Sequence, residues 1–158
     1  MEQHRGNKKM ERIEEVVVVD ASVVTKWFVE EQYTINALQL RDDYVNRFID
    51  IAAPEVLPFE VINSLRYNPE FGEKDIKDSA RALKEYSLWL FPLLGKLAEK
   101  AIENALKYGI TVYDSSYLSL AELESKILYT TDEKLLTKAR GTPWIRHISE
   151  YKQKKDLK

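Results

Sequence analysis

Two kinds of hydrophobic pattern alternate along this chain of 158 residues. Short apolar runs are typical of buried strands, and they lie at residues 15–19, 49–53, 88–93, 126–131 and 144–148. Between them, apolar residues recur every three or four positions, which predicts amphipathic helices over residues 22–31, 34–48, 73–87, 94–108, 115–125 and 133–139. This alternation predicts an α/β fold, with a parallel sheet of about five strands and helices on both faces.

Three stretches are less regular than the rest. LWLFPL, residues 88–93, fits either a third strand or a buried connector. ITVY, residues 110–113, is short, and we expect it to be extended. A further helix is predicted after Pro54, and because proline is tolerated only in the first turn of a helix, Pro58 places Glu60 early in that helix.

The two ends of the chain are polar. Residues 1–14 are predicted to be a flexible polar leader, and residues 151–158 a basic polar tail. No internal repeat or low-complexity linker divides the rest, so we expect residues 15–150 to form a single domain. A chain of this length can bury roughly 70% of the surface that its unfolded state exposes.

Composition narrows the chemistry that the chain can perform. Apolar residues make up 44% and charged residues 32%, which is typical of a globular protein. The net charge of −2 gives no overall basic field for nucleic acid, although an average does not exclude a local basic patch. The absence of cysteine excludes disulfides, thiolate metal sites and cysteine nucleophiles. His4 and His147 are far apart in sequence, which argues against a metal site or an acid–base pair built on histidine.

The sequence also indicates where the protein works. No apolar run approaches the roughly 20 residues that a membrane span needs. The polar start lacks the apolar segment of a signal peptide, and the lack of cysteine fits a reducing compartment. We therefore expect a cytoplasmic protein without a membrane partner, and we expect no nucleotide cofactor.

Acidic residues follow three of the predicted extended stretches. Asp20 follows VVVV, Asp114 follows ITVY and Asp132 follows ILYTT, while Glu60 lies early in the helix after the second strand. Since the carboxyl ends of parallel strands meet at one edge of a sheet, we expect the four carboxylates to gather there. Each acid alone is better explained as a helix N-cap or as a surface residue. Their repetition favours a shared site, because serine, threonine or asparagine would serve as well in caps.

A cluster of four carboxylates needs neutralising charge. The carboxylates repel one another unless some are protonated or a cation lies between them. An all-oxygen set of ligands suits Mg²⁺ or Mn²⁺ better than zinc. Such an ion can activate a water molecule for attack on phosphorus and can stabilise the leaving oxygen.

The four acids lie in four motifs, VVVVDASV, APEVLPFEVINSLR, TVYDSSYLSLAE and LYTTDEKLL, which occur in this order within residues 15–150. Together these motifs resemble PIN-domain ribonucleases, and in particular VapC-like toxins of type II toxin–antitoxin systems. The resemblance implies a single PIN-like domain that acts as a metal-dependent endoribonuclease with Mg²⁺ or Mn²⁺. It also implies an RNA substrate and an antitoxin protein as partner.

The resemblance assigns roles to particular residues. The family's four acids, which would act in catalysis and in metal binding, fall on Asp20, Glu60, Asp114 and Asp132. Three polar residues would support the acids or a substrate phosphate: Ser22 after the first strand, Thr130 two positions before the last acid, and Asn63 three positions after Glu60. These three are explained equally well as helix caps or ordinary polar surface.

Basic and apolar residues suggest contacts with partners. Cations must lie beside an acidic rim if phosphates are to approach it, and the candidates for RNA contact are Arg66, Lys134 and Lys26, each of which also fits a solvated face. Tyr117 could stack on a base, but its apolar neighbours favour a place in the core. The apolar positions on helices 23–30 and 34–48 exceed what a small core needs. We expect a homodimer or the helix of an antitoxin to cover them.

Two other functions are compatible with parts of this pattern. A PIN fold kept only for binding RNA or protein is one, although such a module has no need of a complete set of acids. A phosphotransfer domain with an aspartyl intermediate also has an aspartate after its first strand. However, the haloacid-dehalogenase pattern has a second aspartate two residues later, where this chain has Ser22. We therefore favour the nuclease.

Overall fold

Val18 lies at the centre of a five-stranded parallel sheet in the computed structural model, which describes residues 15–154. The strands are β1 (Glu15–Val19), β2 (Ile49–Pro54), β3 (Trp89–Phe91), β4 (Leu128–Thr130) and β5 (Ile145–His147). Their order across the sheet is β3-β2-β1-β4-β5, and Val18 pairs with Ala52 of β2 on one side and with Leu128 of β4 on the other. Residues 88–93 thus contribute a short edge strand rather than a connector.

Seven α-helices join and cover the strands in the described part of the chain. They are α1 (Ala21–Thr25), α2 (Thr34–Val45), α3 (Leu57–Arg66), α4 (Glu73–Tyr86), α5 (Gly95–Tyr108), α6 (Val112–Glu124) and α7 (Glu133–Lys138), and a 3₁₀ turn follows at Ile148–Glu150. Val17, Val18 and Val19 are all fully buried, so both faces of β1 are covered. The predicted α/β fold is therefore confirmed. Within residues 15–154, no helix combines the length and the apolar character that crossing a bilayer requires.

Helix α6 fixes part of the edge where the strands end. It packs against β1, β2 and β4, and residues 115–121 are buried along its whole middle section. The polar side chains of its contact with α5 are paired: Ser115 Oγ donates to the Ala101 carbonyl at 2.6 Å, and Asn104 Nδ2 donates to Ser119 Oγ at 3.0 Å. Because buried polar groups without partners are costly, these bonds favour one alignment of the two helices. The first turn of α6, which carries Asp114, is held in place as a result.

The expectation of an extended stretch at residues 110–113 is wrong for its second half. Thr111 caps α6, and its Oγ1 accepts the backbone N–H of Asp114 at 3.0 Å. Val112 and Tyr113 therefore belong to the first helical turn. Asp114 lies inside the helix rather than at a junction before it.

The first helix is shorter than its hydrophobic pattern predicts. Helix α1 ends at Thr25, whereas the prediction placed the end at residue 31. The Thr34 hydroxyl donates to the Val29 carbonyl at 3.0 Å and accepts the N–H of Glu31 at 2.9 Å. These two bonds close a turn over residues 29–34, which ends the helical path and leads into α2.

The folded domain extends beyond the predicted boundary at residue 150. Tyr151 is buried, and its hydroxyl donates to Asp43 Oδ2 at 2.5 Å. The backbone N–H of Lys154 donates to the same oxygen at 2.8 Å, and its Nζ lies 2.6 Å from Glu15 Oε1. Tyr151 and Lys154 of the predicted tail thus contact the domain. The predicted leader, residues 1–14, and the last residues, 155–158, lie outside the described residues.

Candidate active site

The four predicted acids line one pocket at the carboxyl ends of β1 and β4. The pocket has a volume of about 340 Å³, and it is lined by Asp20, Ala21, Ser22, Thr25, Lys26, Glu31, Glu60, Ser64, Asp114, Tyr117 and Asp132. Asp20 and Asp132 are the N-caps of α1 and α7, while Glu60 and Asp114 lie in the first turns of α3 and α6. Carboxylates are favoured at helix N-termini, where unpaired N–H groups point outward. Capping and assembly of the pocket are therefore served by the same residues.

Asp20 is buried at the base of this pocket. Its Oδ1 accepts the backbone N–H of Ser22 at 3.1 Å and the Ser22 hydroxyl at 2.5 Å, and its Oδ2 accepts the hydroxyl of Thr130. The pKa of Asp20 is raised from its usual 3.8 to about 6. Burial is the main cause, the negative charge of Asp132 adds to it, and the bonds from Ser22 and Thr130 act in the opposite direction. The side chain thus carries its negative charge at neutral pH, but at a cost in desolvation.

Ser22 and Thr130 also tie the ends of β1 and β4 together. Ser22 Oγ accepts the N–H of Thr131 at 2.9 Å, and Thr130 Oγ1 accepts the N–H of Asp132 at 2.9 Å. Asp132 in turn accepts the N–H of Leu135 through Oδ1 at 3.0 Å. Each hydroxyl therefore donates to Asp20 and accepts from the segment after β4, which fixes the two acids relative to each other.

Glu60 is held from the opposite side of the pocket. The hydroxyl of Tyr117, which is buried in the middle of α6, donates to Glu60 Oε1 at 2.6 Å. Burial raises the pKa of Glu60, the bond from Tyr117 lowers it, and the charge of Asp114 raises it. Burial and the neighbouring carboxylate together raise the pKa of the Tyr117 hydroxyl, so it acts as a donor at any physiological pH.

Asp114 completes the set from the first turn of α6. Burial is the main cause that raises the pKa of Asp114, and the charge of Asp132 adds to it. The positive charge of Lys138 acts in the opposite direction. Lys138 Nζ also donates to the Gly109 carbonyl at 3.0 Å, which places the lysine beside the loop before α6.

The chemistry of the pocket fits a hard divalent cation. Its side-chain donors are oxygens, apart from the lysine amine. Burial and, to a smaller extent, neighbouring negative charges raise the pKa of Asp20, Glu60 and Asp114. Bound positive charge relieves such repulsion. Among residues 15–154, no three histidine or acidic side chains are arranged as a ready-made metal centre. Mg²⁺ commonly binds through one or two carboxylates and keeps several waters, so this donor set suits an ion held partly through water.

The other predicted residues lie in different places. Asn63 and Arg66 line a neighbouring apolar groove of about 1420 Å³, which shares Glu60 with the acidic pocket. Lys134 lines neither the pocket nor the groove. Lys26 lines the acidic pocket, where its Nζ lies 2.8 Å from Glu31 Oε1. The structure thus brings Ser22, Thr130 and Lys26 to the acids.

Sequence reasoning missed several residues of the pocket. The expected place of Tyr117 in the core is confirmed, but its hydroxyl also contacts Glu60. The signal for this second role is its position three residues after Asp114, one helical turn away. Ser64 follows Glu60 by four residues and so shares its helix face. The sequence pattern does not predict the place of Glu31. This residue reaches the pocket through the turn at residues 29–34, and the turn has no periodic pattern of apolar residues.

Comparisons with known proteins agree with the resemblance noted in the sequence. The family model described as PIN domain matches residues 17–141. Ribonuclease VapC3 of Pyrobaculum aerophilum is 29% identical over 128 residues, which cover 77% of this chain and 93% of that protein. Exonuclease VapC9 of the same organism is 27% identical over 100 residues, which cover 63% of this chain and 75% of that protein.

A solved structure gives the same picture of the fold. It is a toxin–antitoxin complex from Klebsiella pneumoniae, in which one chain superposes with a TM-score of 0.63 at 16% identity. The superposition covers 84% of this chain and 97% of that chain. The arrangement of strands and the match to the family model over most of the chain establish that this protein belongs to the PIN-domain family.

Proposed function

We propose that this protein is an endoribonuclease that depends on Mg²⁺ or Mn²⁺ and acts as the toxin of a toxin–antitoxin pair in the cytoplasm. One observation carries the proposal: Asp20, Glu60, Asp114 and Asp132, from four separate segments, line a single pocket. A role at a helix N-terminus explains each acid on its own. It does not explain why two N-caps and two first-turn acids line the same pocket. Burial, with smaller effects of neighbouring charges, raises the pKa of Asp20, Glu60 and Asp114, and perturbed acids that share a cleft are typical of catalytic sites.

The residues of this chain would prepare the pocket in defined ways. Asp20, Glu60, Asp114 and Asp132 would hold the divalent cation, directly or through water. When bound, the cation supplies positive charge that offsets the carboxylates, favours loss of a proton from water and stabilises a leaving oxygen. Ser22 and Thr130 hold the carboxylate of Asp20, and Tyr117 holds that of Glu60, so these acids keep their orientation.

The reaction adds water across an RNA phosphodiester bond. A bond forms between the water oxygen and phosphorus, and the bond from phosphorus to the leaving nucleoside oxygen breaks. The attacking water loses a proton and the leaving oxygen gains one. Carboxylates with a raised pKa, such as those of Glu60 and Asp114, accept a proton near neutral pH more readily than exposed acids.

The names of the relatives support a nuclease and raise one alternative. One relative is named a ribonuclease and the other an exonuclease. The acidic pocket and the large apolar groove share Glu60 in their linings, and we propose that the RNA strand runs across both. We therefore propose cleavage within a chain.

The apolar groove supports the proposal of a protein partner. Phe59 and Tyr113 border it and are 76% and 61% exposed, which is unusual for large apolar side chains. The superposable Klebsiella chain comes from a toxin–antitoxin complex. We propose that an antitoxin covers this surface in the resting state, and that the protein also forms a homodimer.

A cleavage assay tests the proposed activity. The purified protein is incubated with linear and circular RNA in Mg²⁺, in Mn²⁺ and in EDTA, beside the variant Asp20→Asn. Asp78→Asn is the matched control, because it makes the same chemical change on the exposed surface of α4. We expect metal-dependent cleavage of both RNAs by wild type and by the control, and none by Asp20→Asn.

Each result of the assay has a defined meaning. Cleavage of linear RNA alone would show an exonuclease. Equal cleavage by wild type and Asp20→Asn would mean that a contaminant is responsible, and it would overturn the proposal. RNA binding without cleavage under every condition would favour a binding module.

A further inference from the structure

Lys26 forms an ion pair inside the acidic pocket. Its Nζ donates to Glu31 Oε1 at 2.8 Å, and both residues line the pocket together with the four acids. We propose that Lys26 is the residue that binds a backbone phosphate of the RNA, and that Glu31 holds the lysine until the phosphate replaces it. This inference rests on the proposed function, since it names how that pocket receives its substrate.

The backbone of Lys26 is fixed. Lys26 is the C-cap of α1, and its N–H donates to the Val23 carbonyl at 3.1 Å. The next residue, Trp27, is buried and donates through Nε1 to the Ala37 carbonyl of α2 at 3.0 Å. The lysine therefore extends from a rigid support, and its side chain is already largely buried, so less conformational entropy is lost when its amine binds a ligand.

The two members of the pair differ in their contact with solvent. The side chain of Lys26 is 10% exposed, whereas that of Glu31 is 46% exposed. An ion pair with a half-exposed carboxylate gains little net free energy, because water solvates the freed carboxylate well. Glu31 can therefore release Lys26 at low cost, while the lysine amine stays in the pocket wall.

The charges of the pocket favour such a lysine. Five carboxylates line it, namely those of Asp20, Glu31, Glu60, Asp114 and Asp132, and Lys26 is the one basic residue among its described lining residues. Lys138 lies close enough to lower the pKa of Asp114, but its amine is bonded to the Gly109 carbonyl and it does not line the pocket. Among the described lining side chains, a phosphate that enters thus meets five carboxylates and one cationic group.

The test compares RNA affinities in a background that cannot cleave. Lys26→Gln, Glu31→Gln and the double variant are each made together with Asp20→Asn. Binding of a fluorescein-labelled single-stranded RNA is measured by anisotropy in Mg²⁺ over a series of salt concentrations. Lys84→Gln and Glu30→Gln are the matched controls, because each makes the same charge change at an exposed position outside the pocket.

The inference predicts effects of opposite sign. Lys26→Gln is expected to lower the affinity about tenfold, since a hydrogen bond to a charged group is lost. It also reduces the slope of log K against log salt by about 0.7, the value for one phosphate contact of a single strand. Glu31→Gln is expected to raise the affinity a few-fold more than Glu30→Gln does. In the double variant this gain disappears, because it depends on the freed lysine.

A purely structural ion pair gives a different result. Both single variants would then break the same contact, and they would change stability and affinity in the same direction. Equal losses, an unchanged salt slope, or a gain from Glu31→Gln that persists without Lys26 would overturn the inference while the proposed nuclease function stands. Absence of both RNA binding and cleavage in the otherwise unaltered protein would instead overturn the proposed function.

Discussion

The hydroxyl of Tyr117 donates a hydrogen bond of 2.6 Å to Glu60 Oε1, and it joins two helices whose residues are 57 positions apart. Tyr117 is 1% exposed and lies one turn beyond Asp114 on α6. Helix α6 thus carries one acid of the pocket and orients another. This relationship predicts that loss of a single buried oxygen will impair the pocket without changing its acids.

Tyr117→Phe removes the hydroxyl and keeps the packing of the ring. Without its donor, the carboxylate of Glu60 rotates freely, and groups that orient ligands typically affect metal affinity by about 10-fold to 100-fold. We expect Mn²⁺ affinity, measured by calorimetry, to fall within this range and RNA cleavage to fall with it. Tyr151→Phe is the control, since it removes a similar bond to the buried Asp43 away from the pocket. Equal losses of Mn²⁺ affinity in the two variants would contradict the prediction.

Thr130 serves two acids at once, and this can be tested with two substitutions. Thr130→Val keeps the shape of the side chain but loses the donor to Asp20 and the acceptor for the Asp132 N–H. Because Thr130 is fully buried, the unpaired groups should lower the free energy of unfolding by about 2–3 kcal/mol. Thr130→Ser keeps both hydrogen bonds and loses one methyl group, which costs about 1 kcal/mol.

Denaturant unfolding of both Thr130 variants, followed by circular dichroism, measures these differences. Mn²⁺ affinity should follow the hydroxyl: it should be retained in the serine variant and reduced in the valine variant. If serine and valine weaken metal binding to the same extent, Thr130 acts only through packing.

The pKa of Asp20 predicts a stability that depends on pH. Its pKa is about 6 in the folded protein and near 3.8 in the unfolded chain, so the folded state binds the proton more tightly. Below about pH 4 Asp20 is protonated in both the folded and the unfolded state, so no charge is buried and the free energy of unfolding is not reduced. As the pH rises through about 6, the folded protein must accommodate a buried charge, and stability falls by about 3 kcal/mol at most.

Asp20→Asn should therefore be more stable than the wild type at about pH 8 in EDTA, and the advantage should vanish near pH 4. The asparagine can still accept from Ser22, and its amide can donate to the Thr130 hydroxyl. Unfolding in urea at a series of pH values provides the measurement. Mg²⁺ should stabilise the wild type more than the variant. A variant that is destabilised equally at every pH would mean that the hydrogen bonds of Asp20 outweigh the cost of burying its charge.

Local pattern was enough to predict most of the sheet. The valines of β1 have no polar alternation, which predicts a strand covered on both faces, and Asp20 and Asp132 follow strands whose ends meet at one edge. The hydrophobic pattern gave wrong helix boundaries where the hydrogen bonds of a single polar side chain determine the local backbone conformation. Thr111 turns residues 112 and 113 into helix, and Thr34 ends the helical path after α1.

Contacts between distant segments could not be predicted from the sequence. The contact of Tyr117 with Glu60 depends on how α3 and α6 pack. The pair of Lys26 and Glu31 is closer in sequence, but it depends on the turn at residues 29–34, which the hydrophobic pattern did not predict. The same limit applies at the C-terminus. The residues from Tyr151 onward form a polar, basic stretch, and composition gave no sign that the buried Asp43 would bind it.

The contacts of the C-terminal segment predict a sharp boundary for truncation. A chain that ends at Glu150 loses the buried ring of Tyr151 and leaves Asp43 without its bonds from the Tyr151 hydroxyl and the Lys154 N–H. Removal of the partners of a buried charge costs about 3–5 kcal/mol. A chain that ends at Lys154 keeps all of these contacts.

Thermal and urea unfolding of the two shortened chains beside the full chain tests this boundary. We expect the chain ending at Lys154 to unfold within about 1 kcal/mol of the full chain, and the chain ending at Glu150 to lose at least about 3 kcal/mol. Asp43→Asn in the shorter chain should restore part of the loss, because an amide is less costly to bury than a carboxylate without partners. Equal stability of the two shortened chains would show that the contacts of Tyr151 and Lys154 do not stabilise the domain.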